Sequence, residues 1–539
     1  MKKLITIMCV FATFISNAQW TTDTDVNTLV ADSEPVDMQA IGTPNGQTYV
    51  VFWKAVPAPV NMELRLQVLD ADGNQTLGSD GVLVSDQIPM STYTVIWDLK
   101  VDTDSNLYIG VTGTDSGNPA HVFKMDTGGN QLWGTTSGLH VGDGYNVTLL
   151  PLSTGGLLLS WLDIGTNGAV MQKLDSTGNP VWPANQPIEL TGSDTAPANL
   201  FEISGDEYIV VFHEMLFGIS SILYAQRYDA DGNPVWAAPV QLAGGTTAFN
   251  RKYTGIQDGD VVYMGYFSSA SNRFDSFLQR IDPDGTLPWG INGADFDTSQ
   301  ANYEMNTEIA FSPGSDYLWA IARYTNSAQS NSGEYVQKFD KTTGTRMFTD
   351  AAKEIFPISS DKVHQGRLWL KDNSPLFLMK EGFDNGVTPT TLHAVHLDEN
   401  GDFEWPEETR PLATFAANKG RVHYTRPVNH QSVAVFVEDK GAGSKIYAQN
   451  FVDEELATED FSAVSILYVN PVKTELILQS SAGIEAISIY TILGQQIFKA
   501  EYNGQNAINI NTQNWSSGMY FMKVATNKGV KKGIKLIKR

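Results

Sequence analysis

The segment YAQRYDADGNPVW, residues 224–236, decides the fold, because the chain keeps returning to it. It recurs as VMQKLDSTGNPVW (170–182), HVFKMDTGGNQLW (121–133), FLQRIDPDGTLPW (277–289) and HAVHLDENGDFEW (393–405). Weaker copies are RLQVLDADGNQTL (65–77) and YVQKFDKTTGTRMF (335–348), and a last one, IYAQNF (446–451), stops before its turn. The register is strict: Asp126 leads Trp133, Asp175 leads Trp182, Asp229 leads Trp236, Asp282 leads Trp289 and Asp398 leads Trp405, always by seven residues. Asp70 reaches Leu77 by the same step, and Asp340 reaches Phe348 with one residue inserted.

Each copy follows an apolar run, among them TYVVFWK, LLLSWLD, EYIVVFHE and SVAVFVE. A β-branched and aromatic run, then a copy ending in an Asx/Gly turn, reads as a β-hairpin. The copies are spaced 49 to 58 residues apart, the length of a propeller blade. The expected fold is therefore all-β: an N-terminal β-propeller of about eight four-stranded blades, seven being compatible with the spacing, over residues 19–453. The eighth unit lacks its turn and Trp, whereas Gln19 and Trp20 resemble the missing end of the motif, as in Gln131-Leu132-Trp133. This predicts that the N-terminal segment completes the last blade and closes the ring.

The repeat resembles secreted bacterial propeller repeats of the form YAQRLDxxGNPxW. That resemblance implies an architecture and no particular activity, since propellers host unrelated functions.

Ahead of the repeats, MKKLITIMCVFATFISNAQ places Lys2 and Lys3 before an apolar run and ends on small residues. It reads as a signal peptide over residues 1–18, cut after Ala18. The run is shorter than the ~20 residues of a spanning helix, and no later segment is uniformly apolar, so no membrane span is expected. The single cysteine, Cys9, lies inside this segment, which leaves the mature chain without a thiol or disulfide. A net charge of -24 repels nucleic acid and anionic membranes.

Residues 454–465 are polar and acidic and read as a linker. Short alternating strands then fill 466–539, the pattern of a small Ig-like β-sandwich. Four motifs there occur in order: Asn470-Pro471-Val472, IYTILGQ (489–495) with Gly494, SGMYF (517–521) with Gly518 and Tyr520, and the basic end KLIKR (535–539) with Lys535 and Lys538. Together they resemble the type A C-terminal sorting domain of the type IX secretion system of Bacteroidetes. Val469 departs from the pattern, a proline being common there. The resemblance implies passage through the periplasm, docking on the translocon, and cleavage by its sortase-like peptidase. The protein would then be released or attached at the cell surface. The basic residues at this end of an acidic chain would suit an acidic receptor groove; a solvated basic tail is the plainer alternative.

Chemistry is sparse. D-A-D-G-N opens like a calcium loop but lacks the later carboxylate ligands and the bidentate Glu, so an Asx turn accounts for it better. A sugar-stacking role for the Trp series competes with packing between blades, which the identical placement in each repeat favours. His213-Glu214 follows a strand, while His393 and His396, three apart on a strand, should face opposite ways. No H-E-x-x-H, G-x-S-x-G or P-loop occurs, and no catalytic residue, metal site or cofactor is assigned. Segments 54–61, 215–221 and 323–333 depart from the repeat and are where a binding site would form, against ordinary drift in loop length. Two functions follow. One is a non-enzymatic module that binds an extracellular glycan or protein; the other is an extracellular glycoside hydrolase or lyase on a propeller scaffold.

Overall fold

A computed structural model describes residues 20–452, 466–468, 470–491, 495–527 and 531–539, apart from positions 92, 93, 116, 252, 271, 272 and 384. The signal segment with Ala18, the linker 454–465, Val469 and Gly494 lie outside the described residues. The chain divides into two compact units, Met1–Val452 and Asp453–Arg539.

In the first unit, each apolar run and each repeat copy form the two middle strands of an antiparallel meander. The first blade is typical: Pro35–Gly42, Thr48–Ala55, Met62–Leu69 and Val82–Ser85 pair in sequence order. The register Val51↔Leu66 and Tyr49↔Val68 keeps both strands buried on both faces, because every blade is sandwiched between two others. Similar sheets recur with innermost strands Ile96–Val101, Thr195–Ile203, Thr254–Asp258, Tyr303–Ala310, Lys362–Lys371 and Gly420–Tyr424. The long strand Leu139–Pro151 ends the second blade and begins the third, joining them into one seven-stranded sheet. Among the described residues this makes eight blades.

The eighth blade has three strands of its own, and Thr28–Ala31 supplies the fourth, pairing Thr28↔Ala448 and Ala31↔Ile446. Asn27 Nδ2 donates to Glu438 Oε1 at 2.6 Å, and Glu438 meets Lys419 Nζ at 2.9 Å with both side chains fully buried. A buried ion pair survives only when its remaining lone pairs and protons are satisfied. Here the N-terminal segment supplies part of that satisfaction.

The repeat's sequence logic is a contact between neighbouring blades. Trp133 Nε1 donates to Ser176 O at 2.9 Å, Trp182 to Ala230 O at 2.9 Å and Trp236 to Pro283 O at 3.1 Å, each reaching the turn of the next blade. Trp289 reaches Thr342 O at 3.2 Å. Trp20 does the same across the closure, donating to Ala71 O at 2.8 Å. The turn glycine is what lets the indole sit there: Gly73 has φ +85, and a Cβ on it would stand 2.7 Å from the Trp20 ring. Trp405 faces the turnless eighth blade and instead packs on Phe451, with the Arg410 guanidinium 4.1 Å above its ring.

The repeated aspartates brace those turns. Asp126, Asp175, Asp229 and Asp398 each accept the backbone N–H four residues on, at 2.8 to 2.9 Å. The carboxyl of Asp175 is held down to about 2, first by the Asn179 N–H and then by the Thr177 hydroxyl. Asp282 differs: its carboxylate is taken by Arg280 at 2.7 Å, and Asp284 bonds the Thr286 N–H instead.

The second unit is five strands around a core of Val472, Leu476, Ile487, Ile489, Met522 and Leu536 with their neighbours. Glu475–Thr491 alternates inward and outward and pairs with Gln496–Asn511 and Gly518–Thr526. Asn470 Oδ1 accepts the Ile537 N–H at 2.8 Å and Val472 N–H donates to Ile537 O at 2.7 Å, so the Asn-Pro-Val motif is tied to the C-terminal strand. Tyr520 is buried with its hydroxyl donated to Ser516 O at 2.8 Å, and Lys535 is exposed.

Candidate functional site

The eight innermost strands surround a central channel of about 1220 Å³. They are the least regular part of each blade: seven of the eight carry a register shift where they pair outward, Thr254–Asp258 being the exception. A bulge leaves an extra residue unpaired and turns its side chain away from the ladder. Four bulges contain a left-handed residue: Asn146, Asn306, Gly366 and Arg421. Carboxylates then stitch neighbouring blades at this level. Asp37 Oδ2 accepts the Ile96 N–H at 3.1 Å, and Asp98 Oδ2 accepts the Leu149 N–H at 3.0 Å.

Between the sixth and seventh blades the symmetry fails. His364 Nδ1 lies 2.8 Å from Glu334 Oε1, and the His364 N–H donates to Glu334 Oε2 at 3.0 Å. Burial alone would lower the imidazole, but the Glu334 carboxylate outweighs it and holds His364 above its ordinary value. Beside it on the channel wall, Glu308 faces Arg367 at 3.8 Å. With Nδ1 committed to Glu334, the imidazole is fixed in orientation at the channel wall.

Four other clusters have the residue types of an active site without its geometry. Ser221 Oγ lies 2.9 Å from His213 Nδ1 and 2.9 Å from Thr247 Oγ1, yet His213 is wholly buried and its Nε2 has no partner to orient it. Burial pushes that imidazole down to about 3, so it stays neutral. His396 is buried 3.4 Å from Ser374, and His393 is partly exposed beside Thr391 at 3.0 Å. Between the fifth and sixth blades, Glu304 receives the Ser276 N–H and Arg273 Nη2, both at 3.2 Å, and Asp297 takes the Tyr324 hydroxyl at 2.5 Å. Glu304 and Asp297 are 1 % and 2 % exposed, beyond the reach of a substrate. Among the described residues, no three His, Cys, Asp or Glu side chains are placed to hold a metal ion.

That acidic cluster has a measurable consequence. Desolvation, then the nearby Asp297 charge, pushes the Glu304 carboxyl up to about 9, against Arg273, which opposes it. A carboxyl whose pKa is raised on folding gives stability that is full below the unfolded value and is lost as pH rises through the folded one. The urea midpoint should therefore fall between pH 7 and 9, by at most about 1.4 kcal/mol per pH unit, the one-proton limit. Glu304→Gln should flatten that fall; an unchanged pH slope would show that Glu304 does not titrate there.

Antiparallel meandering also sorts the loops. The repeat turns and the turns after each innermost strand share one end of the ring; the turns between the two middle strands share the other with the crossings between blades. Segments 54–61, 215–221 and 323–333 all reach this second, loop-bearing end. There Phe217 is 93 % exposed, beside exposed Leu216 and Ile219, and Val387 is 82 % exposed on the corresponding turn of the seventh blade.

Residues 466–539 match the family described as the secretion system C-terminal sorting domain. No curated protein matches the chain. Among solved structures it is similar to a Dyadobacter fermentans protein of unknown function, at 12 % identity over 79 % of this chain and 98 % of that one, with TM-score 0.38. The Dos1 propeller matches at 10 % identity over 80 % and 95 % with TM-score 0.43. A Penicillium chrysogenum alpha-L-arabinanase complexed with arabinobiose matches at 10 % over 57 % and 92 % with TM-score 0.34. Among the described residues no helix is long and apolar enough to cross a membrane.

Proposed function

We propose that this chain is an extracellular binding module, carried out of the cell by its type IX sorting tail, whose propeller holds a glycan or protein without transforming it. The observation that carries this reading is the channel wall. It departs from the repeat, and its two lining carboxylates stand across the ring from each other, on the second and sixth blades, Asp98 accepting the Leu149 N–H and Glu308 lying 3.8 Å from Arg367. A hydrolase or lyase needs an acid and a base free to meet one substrate bond. Glu304, which has the raised pKa of a general acid, is buried away from the channel.

The test is to incubate the purified full-length protein with a glycan array and, separately, with a polysaccharide panel followed by product analysis. Retention of a glycan without new reducing ends or unsaturated products is the expected result. Turnover of any polysaccharide would transfer the protein to the carbohydrate-active enzymes.

A further inference from the structure

The lining of the channel has the opposite sign to the protein that surrounds it. The chain carries a net charge of -24, yet four basic side chains, Lys100, Arg251, Arg367 and Arg426, face two acids in the channel. Lys100 and Arg367 stand near those acids, Asp98 at 3.6 Å and Glu308 at 3.8 Å. Arg251 and Arg426 are exposed, and neither guanidinium has a partner among the described residues. Their placement follows from the topology. Arg251 precedes the strand Thr254–Asp258 and Arg426 follows Gly420–Tyr424, so they stand at opposite mouths, with Arg367 between.

The remaining polar lining is amide and hydroxyl. Thr254 Oγ1 and Asn199 Oδ1 are buried at the wall with no hydrogen-bond partner, and a buried polar group left unpaired costs free energy until something bonds to it. Guanidinium groups recognise carboxylates through paired N–H donors. Amides and hydroxyls suit sugar hydroxyls, and Trp369 adds an aromatic face. A narrow cationic lining in a low-dielectric wall also concentrates anions against the repulsion of the whole molecule.

Resting on the reading of the channel as a binding site, we propose that its ligand is an extended acidic oligosaccharide, with carboxylate-bearing sugars lying along the channel from Arg251 past Arg367 to Arg426.

The experiment is titration calorimetry of the full-length protein with three acidic probes: a galacturonate pentasaccharide, an alginate oligomer and a hyaluronan fragment. The methyl-esterified galacturonate pentasaccharide is the neutral control, and poly-glutamate the acidic peptide. Binding of at least one acidic sugar is expected, weakened several-fold between 50 and 500 mM NaCl. Where that sugar is galacturonate, its neutral ester should bind at least about tenfold more weakly. Arg367→Gln should cost about ten- to hundredfold, the range for a lost hydrogen bond to a charged group. Should Arg367→Gln fail to fold, because it strands Glu308, the exposed Arg251→Gln and Arg426→Gln carry the same test with losses of several-fold each. If the neutral ester binds as well as the acid, the ligand is not selected by charge, and the channel stays a glycan site. If poly-glutamate binds and no sugar does, the ligand is a protein. If neither these probes nor a glycan array give binding, the binding-module reading falls as well.

Discussion

A protein beginning at residue 33, without the closing strand, is expected to lose on the order of 5–10 kcal/mol of stability relative to one beginning at residue 20. The deletion removes Val30 and Ala31, both fully buried between blades, and the Trp20 indole that sits on Gly73. It also removes the Asn27 amide from Glu438, whose carboxylate and Lys419 partner are completely buried. Breaking into such a pair is costly because the charges stay buried while their hydrogen bonds go. Gln75 Nε2 loses its acceptors Leu29 O at 2.8 Å and Val30 O at 3.0 Å, so the damage reaches the first blade. Since a domain's whole stability is about 5–15 kcal/mol, the ring should stand open for much of the time. Urea denaturation should show a much lower midpoint, and light scattering should show association through the bared edge of Ser444–Val452. An equal midpoint for the two proteins would mean that closure contributes nothing. Trp20→Ala should reproduce part of the loss, about 2–3 kcal/mol, because the indole is only partly buried.

The second large effect is on location. Deleting residues 466–539 removes the sorting domain and is expected to abolish export, leaving the protein in the periplasm. Fractionation of cells and medium reads this directly, and unchanged appearance in the medium would refute the role of the tail. The deletion should spare the propeller, whose core clusters contain no residue beyond Phe451, while the tail has its own core from Val472 to Leu536. A normal urea midpoint for the retained protein separates failed export from failed folding.

The architecture was legible because each blade repeats one contact. The seven-residue step from aspartate to tryptophan is the distance from a turn that needs a glycine to an indole that needs the next blade's glycine. Such a constraint reappears where blades meet, except where Trp405 faces the turnless eighth blade, and Trp20 shows that it can be met by a residue from the other end of the chain. The meaning of Asp282 was not legible, because only the structure shows Arg280 taking its carboxylate.

The channel was nearly silent in sequence. Bulges break the two-residue alternation of the innermost strands, so their inward residues follow no period. His364 and Glu334 come from adjacent blades, and nothing in the sequence joins them. The trace that could have drawn attention is His364-Gln365-Gly366-Arg367, a glycine inside a strand between a histidine and an arginine. His213, which sequence reading did single out, proved to be a neutral packing residue.

The closing strand has one more consequence. Thr28 pairs with Ala448 in antiparallel fashion, so the chain enters the ring and leaves it, at Val452, on the same edge of the eighth blade. That edge belongs to the end bearing the repeat turns, away from the crossings with Arg251 and the turns with Phe217. Trp20 and Val452 therefore lie at one end of the ring and the turn with Phe217 at the other, so a ligand held at the loop-bearing end is remote from the point where the chain leaves the propeller.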